Sequence, residues 1–194
     1  MRVRCILMAV CFHGSAFAGP LHDAVRAGDL ARTERLLEQG VALNEFDSAG
    51  EPPLLIAALA GHAGVVRLLL DRGADVAARN KGGLTALHAA AYGGHLGVVR
   101  VLVEGGVPVN ESENFYQMSP LHAAAEEGRT DVVAFLLSQK ANVEAKERNG
   151  YTPLTQAGWR EHWEVADLLM KQGATCQPAD LVGDRLFEEC KKRQ

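Results

Sequence analysis

The chain is built from one segment of about 33 residues that occurs five times. A marker leucine recurs at steps of 33, 33, 34 and 33 residues, at Leu21, Leu54, Leu87, Leu121 and Leu154. A glycine keeps the same register at Gly28, Gly61, Gly94 and Gly128. A unit this short cannot bury a hydrophobic core alone, so neighbouring units must stack, and the repeat therefore predicts a solenoid.

One copy shows how each unit is expected to fold. Thr85 can cap a short Ala-rich helix predicted over residues 87–92, which Gly93 and Gly94 interrupt. A second helix is predicted over residues 96–104, where apolar residues share one helical face. The whole chain has 29 Ala and 24 Leu but only two Ile, which favours helices over sheets. Each unit is therefore predicted to be two antiparallel helices and a projecting turn.

This motif resembles the ankyrin repeat, which has a period of 33 residues and the signature Thr-Pro-Leu-His-x-Ala. Residues 85–90 (TALHAA) and 119–124 (SPLHAA) match that signature closely. The resemblance covers about residues 19–175. It implies an all-α ankyrin-repeat solenoid of helix–turn–helix units with projecting β-hairpin-like turns. The predicted units are 19–46, 47–79, 80–112, 113–146 and 147–176, followed by a C-terminal capping segment, 177–194.

The first eighteen residues have the three parts of a secretory signal peptide. Two arginines lie in residues 1–4, an apolar run follows over residues 5–12, and residues 16–18 read AFA. We expect cleavage between Ala18 and Gly19, which would change the net charge from −4 to −6. The chain is then similar to exported bacterial ankyrin-repeat proteins and is expected to be periplasmic or secreted. The alternative is an intracellular or host-directed interaction protein whose N-terminus is not cleaved.

The rest of the sequence favours a protein partner over other ligands. A net charge of −4 and a pI near 6.0 give no electrostatic reason to expect nucleic acid. No run approaches the ~20 apolar residues of a membrane-spanning helix. The sequence contains no phosphate-binding loop and no nucleophile elbow. We therefore expect a non-enzymatic protein that needs no cofactor or metal, is monomeric when alone and binds another protein.

Six histidines occupy two repeated positions. One position holds His62, His95 and His162, and the other holds His22, His88 and His122. Equivalent residues of adjacent units lie roughly 8–10 Å apart, the distance between packed helices, which is too far for a shared zinc with ligands at ~2 Å. In ankyrin repeats the imidazole of the motif joins neighbouring units by hydrogen bonds, so a structural role is favoured. The alternative is a metal-dependent or enzymatic protein that uses these histidines.

Cys176 and Cys190 remain after the predicted cleavage, and two arrangements are possible for them. A continuous helix up to residue 190 would hold them roughly 20 Å apart, beyond the ~7 Å between Cα atoms that a disulfide allows. Gly183 and Asp184 instead offer a helix break, with Asp184 capping a second helix that runs back. A disulfide is favoured because an exported chain meets an oxidising compartment.

The resemblance also assigns a binding surface, because ankyrin-like repeats contact partners through turn tips and the exposed face of the first helix. Five of the nine aromatic residues that follow the leader lie at such positions in the third to fifth units. Aromatic and arginine side chains are enriched among residues that dominate binding. The predicted partner-binding residues are Tyr92, Phe115, Tyr116, Met118, Glu126, Glu127, Arg148, Tyr151, Trp159 and Arg160.

Overall fold

The computed structural model describes residues 19–193, which form twelve α-helices and no β-strand. The predicted all-α solenoid is confirmed, and within residues 19–193 no helix is long and apolar enough to cross a membrane. The predicted leader, including Ala18 of the cleavage site, lies outside the described residues. The helices are α1 Pro20–Ala27, α2 Leu30–Glu38, α3 Pro53–Leu59, α4 Ala63–Asp71, α5 Ala86–Gly93, α6 Leu96–Glu104, α7 Pro120–Glu126, α8 Thr130–Ser138, α9 Pro153–Trp159, α10 Trp163–Lys171, α11 Ala179–Val182 and α12 Asp184–Lys191.

The first ten helices form two layers. The odd-numbered helices α1 to α9 stack as an inner layer, and the even-numbered helices α2 to α10 stack behind them. Ala90 and Ala124 of the inner layer are fully buried, and their small side chains let neighbouring helices approach closely. The outer layer contributes larger side chains such as Leu102 and Leu136, which are also fully buried. The core is therefore continuous from unit to unit.

Local signals in the sequence set the helix ends. Thr85 caps α5 through a capping box in which His88 supplies the second side chain, and Ser119 and His122 do the same for α7. The left-handed conformation of Gly94 ends α5. The second helix predicted over residues 96–104 coincides with α6, so the repeat places that element within the unit correctly.

A short turn precedes each inner helix from α3 to α9, and we call these turns fingers 2 to 5. Their residues are 47–51, 80–84, 114–118 and 147–151. The first side chain of each finger accepts hydrogen bonds from the backbone N–H groups two and four residues later. These side chains belong to Asp47, Asn80, Asn114 and Glu147. Each finger is thus organised by its own first residue.

The last two helices cover the C-terminal end of the solenoid. Gly183, with a φ of 89°, separates α11 from α12, and α12 packs against α9. The expected helix break is present, but Gly183 is the N-cap of α12 and Asp184, expected as the cap, is its first helical residue. The Sγ atoms of Cys176 and Cys190 lie at disulfide distance, with the Cα atoms 5.9 Å apart.

Candidate functional site

Fingers 3, 4 and 5 are joined edge to edge by backbone hydrogen bonds. Phe115 N–H donates to the Gly82 carbonyl at 3.1 Å, and Arg148 N–H donates to the Tyr116 carbonyl at 2.8 Å. Finger 2 is linked more loosely, through the Lys81 Nζ that donates to the Ser48 carbonyl. Because these bonds already hold the finger tips as one surface, the fingers lose less conformational entropy when a partner binds.

Two aromatic pairs lie on this surface. Phe115 and Tyr116 meet edge to face with centroids 5.0 Å apart, and Tyr151 and Trp159 do the same at 4.3 Å. The Arg148 guanidinium lies 4.7 Å from the centroid of the Phe115 ring, across the junction between fingers 4 and 5. Phe115 nevertheless remains 64% exposed and Trp159 36% exposed. The rings are fixed by neighbours and still open to a partner.

Met118 does not belong to the exposed surface, so its predicted role in partner binding is wrong. Its side chain is 1% exposed and packs with Leu84, against which Tyr92 and Tyr116 also lie. The residue ends finger 4, where its neighbours Asn114 and Ser119 are also buried. Met118 therefore stabilises the contact between fingers 3 and 4.

Glu126 is a second correction, because it is 7% exposed and is not a solvated surface charge. Its Oε1 accepts a hydrogen bond from Arg160 Nη2 at 2.7 Å, which ties the end of α7 to the end of α9. Arg160 is exposed and Glu127 is half-buried. Glu126 and Arg160 of the predicted charged group thus form an ion pair between the fourth and fifth units.

The ten predicted residues divide by exposure. Those most accessible to a partner are Phe115, Arg148, Trp159 and Arg160. Those half-buried at the rim of the same surface are Tyr92, Tyr116, Glu127 and Tyr151. Met118 and Glu126 lie beneath it. We call Phe115, Tyr116, Arg148, Tyr151 and Trp159 the finger patch.

The motif histidines bond the next finger. His88 Nε2 lies 2.9 Å from the Met118 carbonyl, and His122 Nε2 lies 3.1 Å from the Tyr151 carbonyl, so each Nε2 carries the hydrogen. His122 Nδ1 accepts from the N–H and hydroxyl of Ser119. Burial lowers the pKa of His122 to about 4 and also lowers the pKa of His88. Both rings are neutral, buried and committed to backbone groups.

The second set of histidines packs against the preceding unit. His62 Nε2 and His95 Nε2 bond the carbonyls of Arg26 and Leu59 at 3.1 and 2.9 Å. In the fourth unit Arg129 takes this position and donates from Nε to the Tyr92 carbonyl. Within residues 19–193 no three His, Cys, Asp or Glu side chains are grouped to hold a metal ion.

Sequence reasoning missed a charged cluster that joins the end of the second unit to the third and fourth units. Arg79 Nη1 bonds Glu111 Oε1 at 2.8 Å and the Glu113 carbonyl at 3.1 Å. The other carboxylate oxygen, Glu111 Oε2, lies 3.6 Å from His88 Nδ1. Residues equivalent to Arg79 in other units include Phe46 and Lys146, so the repeat pattern carries no signal for this cluster.

Stacked helix pairs with linked fingers define a repeat solenoid in which recurring contacts join one unit to the next. The sequence model for ankyrin repeats matches three overlapping segments, residues 21–113, 74–147 and 109–180. The chain therefore belongs to the ankyrin repeat family, whose repeats mediate binding to protein partners.

Several curated proteins are similar in sequence to a part of this chain. A probable E3 ubiquitin-protein ligase of Oryza sativa subsp. japonica is 38% identical over 67 residues, and an E3 ubiquitin-protein ligase of Arabidopsis thaliana is 37% identical over 67 residues. Each match covers 34% of this chain and 13% of the relative. A FYVE zinc finger domain protein of Mycosarcoma maydis is 44% identical over 55 residues, or 28% of this chain and 4% of that protein. The likeness is thus limited to a small part of each relative.

Proposed function

We propose that the chain is a non-enzymatic module that binds another protein through the finger patch. The observation that carries this proposal is Phe115, which is 64% exposed although it is a large apolar side chain. Tyr116 and Arg148 hold its ring in place. An exposed, preorganised cluster of aromatic and arginine side chains has the composition of residues that dominate protein interfaces.

We also propose that the module acts after export, in the periplasm or outside the cell. The support is the signal-peptide pattern of residues 1–18 together with the Cys176–Cys190 pair, since such a pair is stable in an oxidising compartment. N-terminal sequencing of the protein isolated from its native cells should begin at Gly19. Retention of Met1 would contradict export through this leader.

The binding proposal is tested by removing the two most exposed aromatic rings of the finger patch. We expect Phe115→Ala with Trp159→Ala to reduce capture of a cross-linked partner from the native compartment by about tenfold or more, because interface anchors contribute about 2 kcal/mol or more each. Capture is measured by cross-linking, affinity purification and quantitative mass spectrometry. These two positions are chosen over Tyr116, because Tyr116 also packs on the buried Leu84 and Met118.

A matched control removes two exposed hydrophobic side chains outside the patch. Leu30 is 46% exposed and Phe46 is 53% exposed, and both lie in the first unit. The Leu30→Ala, Phe46→Ala variant should capture the partner as the unmodified protein does. Equal capture by the finger-patch variant, with helical circular dichroism and melting temperature unchanged, would show that the partner binds elsewhere.

A further inference from the structure

The finger ladder has a fixed register. At both backbone junctions, the N–H of the second residue of one finger donates to the carbonyl of the third residue of the preceding finger. Phe115 thus pairs with Gly82, and Arg148 pairs with Tyr116. The third residue of finger 5 is Asn149, which is exposed. Among residues 19–193 no hydrogen bond reaches the Asn149 carbonyl, so the ladder ends there with an open acceptor.

No sixth finger follows within the described part of the chain. The chain one period after finger 5 forms the short helix α11 instead of a turn that would extend the ladder. The cap does satisfy the base of finger 5, where Gln177 Nε2 donates to the Gly150 carbonyl at 2.7 Å and Gln177 Oε1 accepts from Thr152 N–H at 3.0 Å. The tip of finger 5 remains uncovered, since Arg148 and Asn149 are both exposed.

An apolar contact point lies beside this open edge. Trp159 packs against Tyr151, the last residue of finger 5, with ring centroids 4.3 Å apart. Its Nε1–H donates to the Val182 carbonyl at 3.4 Å, which fixes the indole between finger 5 and α11. The ring is still 36% exposed, and Leu181, one residue before the acceptor, is 37% exposed. The open acceptor and the exposed indole thus belong to the same corner of the molecule.

We infer that the edge of finger 5 is a docking edge for an extended segment of the partner protein. A backbone N–H of that segment donates to the Asn149 carbonyl, as Phe115 and Arg148 do within the ladder, and an apolar side chain of the segment packs on Trp159. The ladder itself shows this main-chain pairing between neighbouring turns, and in the addition of an extended segment main-chain bonds supply affinity while alternate side chains supply specificity. This inference rests on the proposed function and assigns the segment that the finger patch recognises.

The experiment selects ligands from a random pool and does not depend on the identity of the partner. Random twelve-residue peptides displayed on phage are selected against the immobilised full chain, and the enriched peptides are synthesised. Each backbone amide is then N-methylated in turn, and affinity is measured by isothermal titration. We expect one central amide whose methylation weakens binding about tenfold or more, which corresponds to about 1.4 kcal/mol. The amides on either side should tolerate methylation because they point away from the edge. This change is made in the ligand, so the fold of the protein is not altered.

The protein side of the experiment uses one variant and one control. Trp159→Ala should weaken the selected peptides about tenfold or more, whereas Phe46→Ala, which removes an exposed ring just before finger 2, should leave the affinity unchanged. Melting temperatures of both variants establish that they are folded. Amide chemical shifts on titration should change at residues 148–151 and 159.

Several results would overturn the docking edge. They are the absence of any enriched peptide, affinity that is indifferent to methylation at every position, and binding that is lost in Phe115→Ala but kept in Trp159→Ala. A concentration-dependent dimer that Trp159→Ala abolishes would place a second copy of the chain on the edge and would also overturn it. Capture of a partner that depends on Phe115 would survive all these results, so the proposed function can stand when the docking edge fails.

Discussion

Among residues 19–193, three non-glycine residues adopt a backbone conformation that suits glycine better. Gln117, Lys140 and Glu161 have φ values of 55°, 64° and 62°. The other units place glycine at each of these positions, for example Gly106 at the position of Lys140, with a φ of 86°. A side chain in this left-handed region costs roughly 1–2 kcal/mol. The repeats therefore tolerate strain where their sequence departs from the common pattern.

Lys140 gives a direct measurement of that strain. Lys140→Gly should raise the free energy of unfolding by about 0.5–1 kcal/mol, because relief of the strain exceeds the entropy that glycine loses on folding. Gln139→Gly is the matched control, since Gln139 has a φ of −90° and gains no relief. We expect Gln139→Gly to lower the free energy of unfolding by about 0.5–1 kcal/mol. Both variants are measured by urea titration. A loss of stability in both variants would mean that Lys140 is not strained.

His122 should make the protein less stable in acid. Burial lowers its pKa to about 4 in the folded chain, whereas in the unfolded chain the pKa is about 6.5. Between these two pKa values the unfolded state therefore binds more protons than the folded state. The free energy of unfolding is highest above about pH 6.5, where His122 is neutral in both states, and it falls as the pH drops towards 4. The loss should approach ~3 kcal/mol, measured by urea unfolding at pH 7, 5.5 and 4.

The variant His122→Gln should show a shallower loss over this range. Some dependence on pH should remain, because burial also lowers the pKa of His88. His95→Gln, at the other repeated position, retains both buried rings and serves as the control. Identical slopes for the three proteins would show that His122 does not titrate as its surroundings require.

At the scale of the element, the joint between units depends on pairs of residues one period apart. In three junctions a side chain of one unit accepts a backbone N–H from the next unit. These pairs are Asn44 with Asp75, Asn110 with Asn142, and Glu144 with Thr175. The same position of the second unit is Ala77, and the residue of the third unit that it would bond is Pro108, which has no N–H. The acceptor is missing where the donor is missing.

Gln177 tests how strongly the cap is attached to the fifth unit. Its amide bonds Thr152, Thr155 and Gly150, in place of the contact that a following finger would make. Gln177→Ala should lower the free energy of unfolding by about 1–3 kcal/mol, because it leaves the buried Thr152 N–H without a partner and removes the hydrogen bond that the Thr155 hydroxyl donates. Thermal and urea unfolding give the value. Gln172→Ala, an exposed residue at the end of α10, should change it by less than about 0.5 kcal/mol. Equal effects of the two changes would show that the Gln177 bonds are not needed.

The elements differ in how well the sequence predicts them. The repeat places α6 correctly, because helix-favouring runs and glycine stops recur in phase. The break at Gly183 is also foreseeable from glycine alone. The burial of Met118 could not be predicted, because finger 4 lacks the turn glycine. Asn114 shapes this finger instead, and its amide oxygen accepts hydrogen bonds from the N–H groups of Tyr116 and Met118. The hydrogen bonds of Gln177 could not be predicted from the sequence either, because its partners belong to the fifth unit and not to the cap.

At the scale of the whole molecule, the two ends of the solenoid are built differently. The C-terminal end is held by the cap, whose Arg193 bonds Asp167 at 3.0 Å and lies over the Trp163 ring. The N-terminal end leaves Leu30 46% exposed on its outer helix. Repeat proteins gain stability mainly from contacts between neighbouring units, so a change at one end should act locally.

The cysteine pair offers a test of this locality. Thiol counting on denatured, unreduced protein should find no free thiol at Cys176 and Cys190. Replacing both by serine should lower stability by about 3 kcal/mol, because closing a loop of this length restricts the unfolded chain. Hydrogen exchange should show lost protection in α9 to α12, with α1 to α4 unchanged. The same loss in reduced, unmodified protein is the control, and a uniform loss along the chain would contradict a local effect.

The connections between units also determine how the molecule responds to a mechanical load. Side-chain bonds from one unit to the next join residues 21 to 38 positions apart, as between Arg26 and Asp47 or Arg72 and Glu34. A pull on the two termini therefore meets these bonds one junction at a time. The chain should lengthen in steps of about one unit. A partner bound to the finger patch stays bound while the units that carry the patch remain folded, so the solenoid acts as an extensible linker.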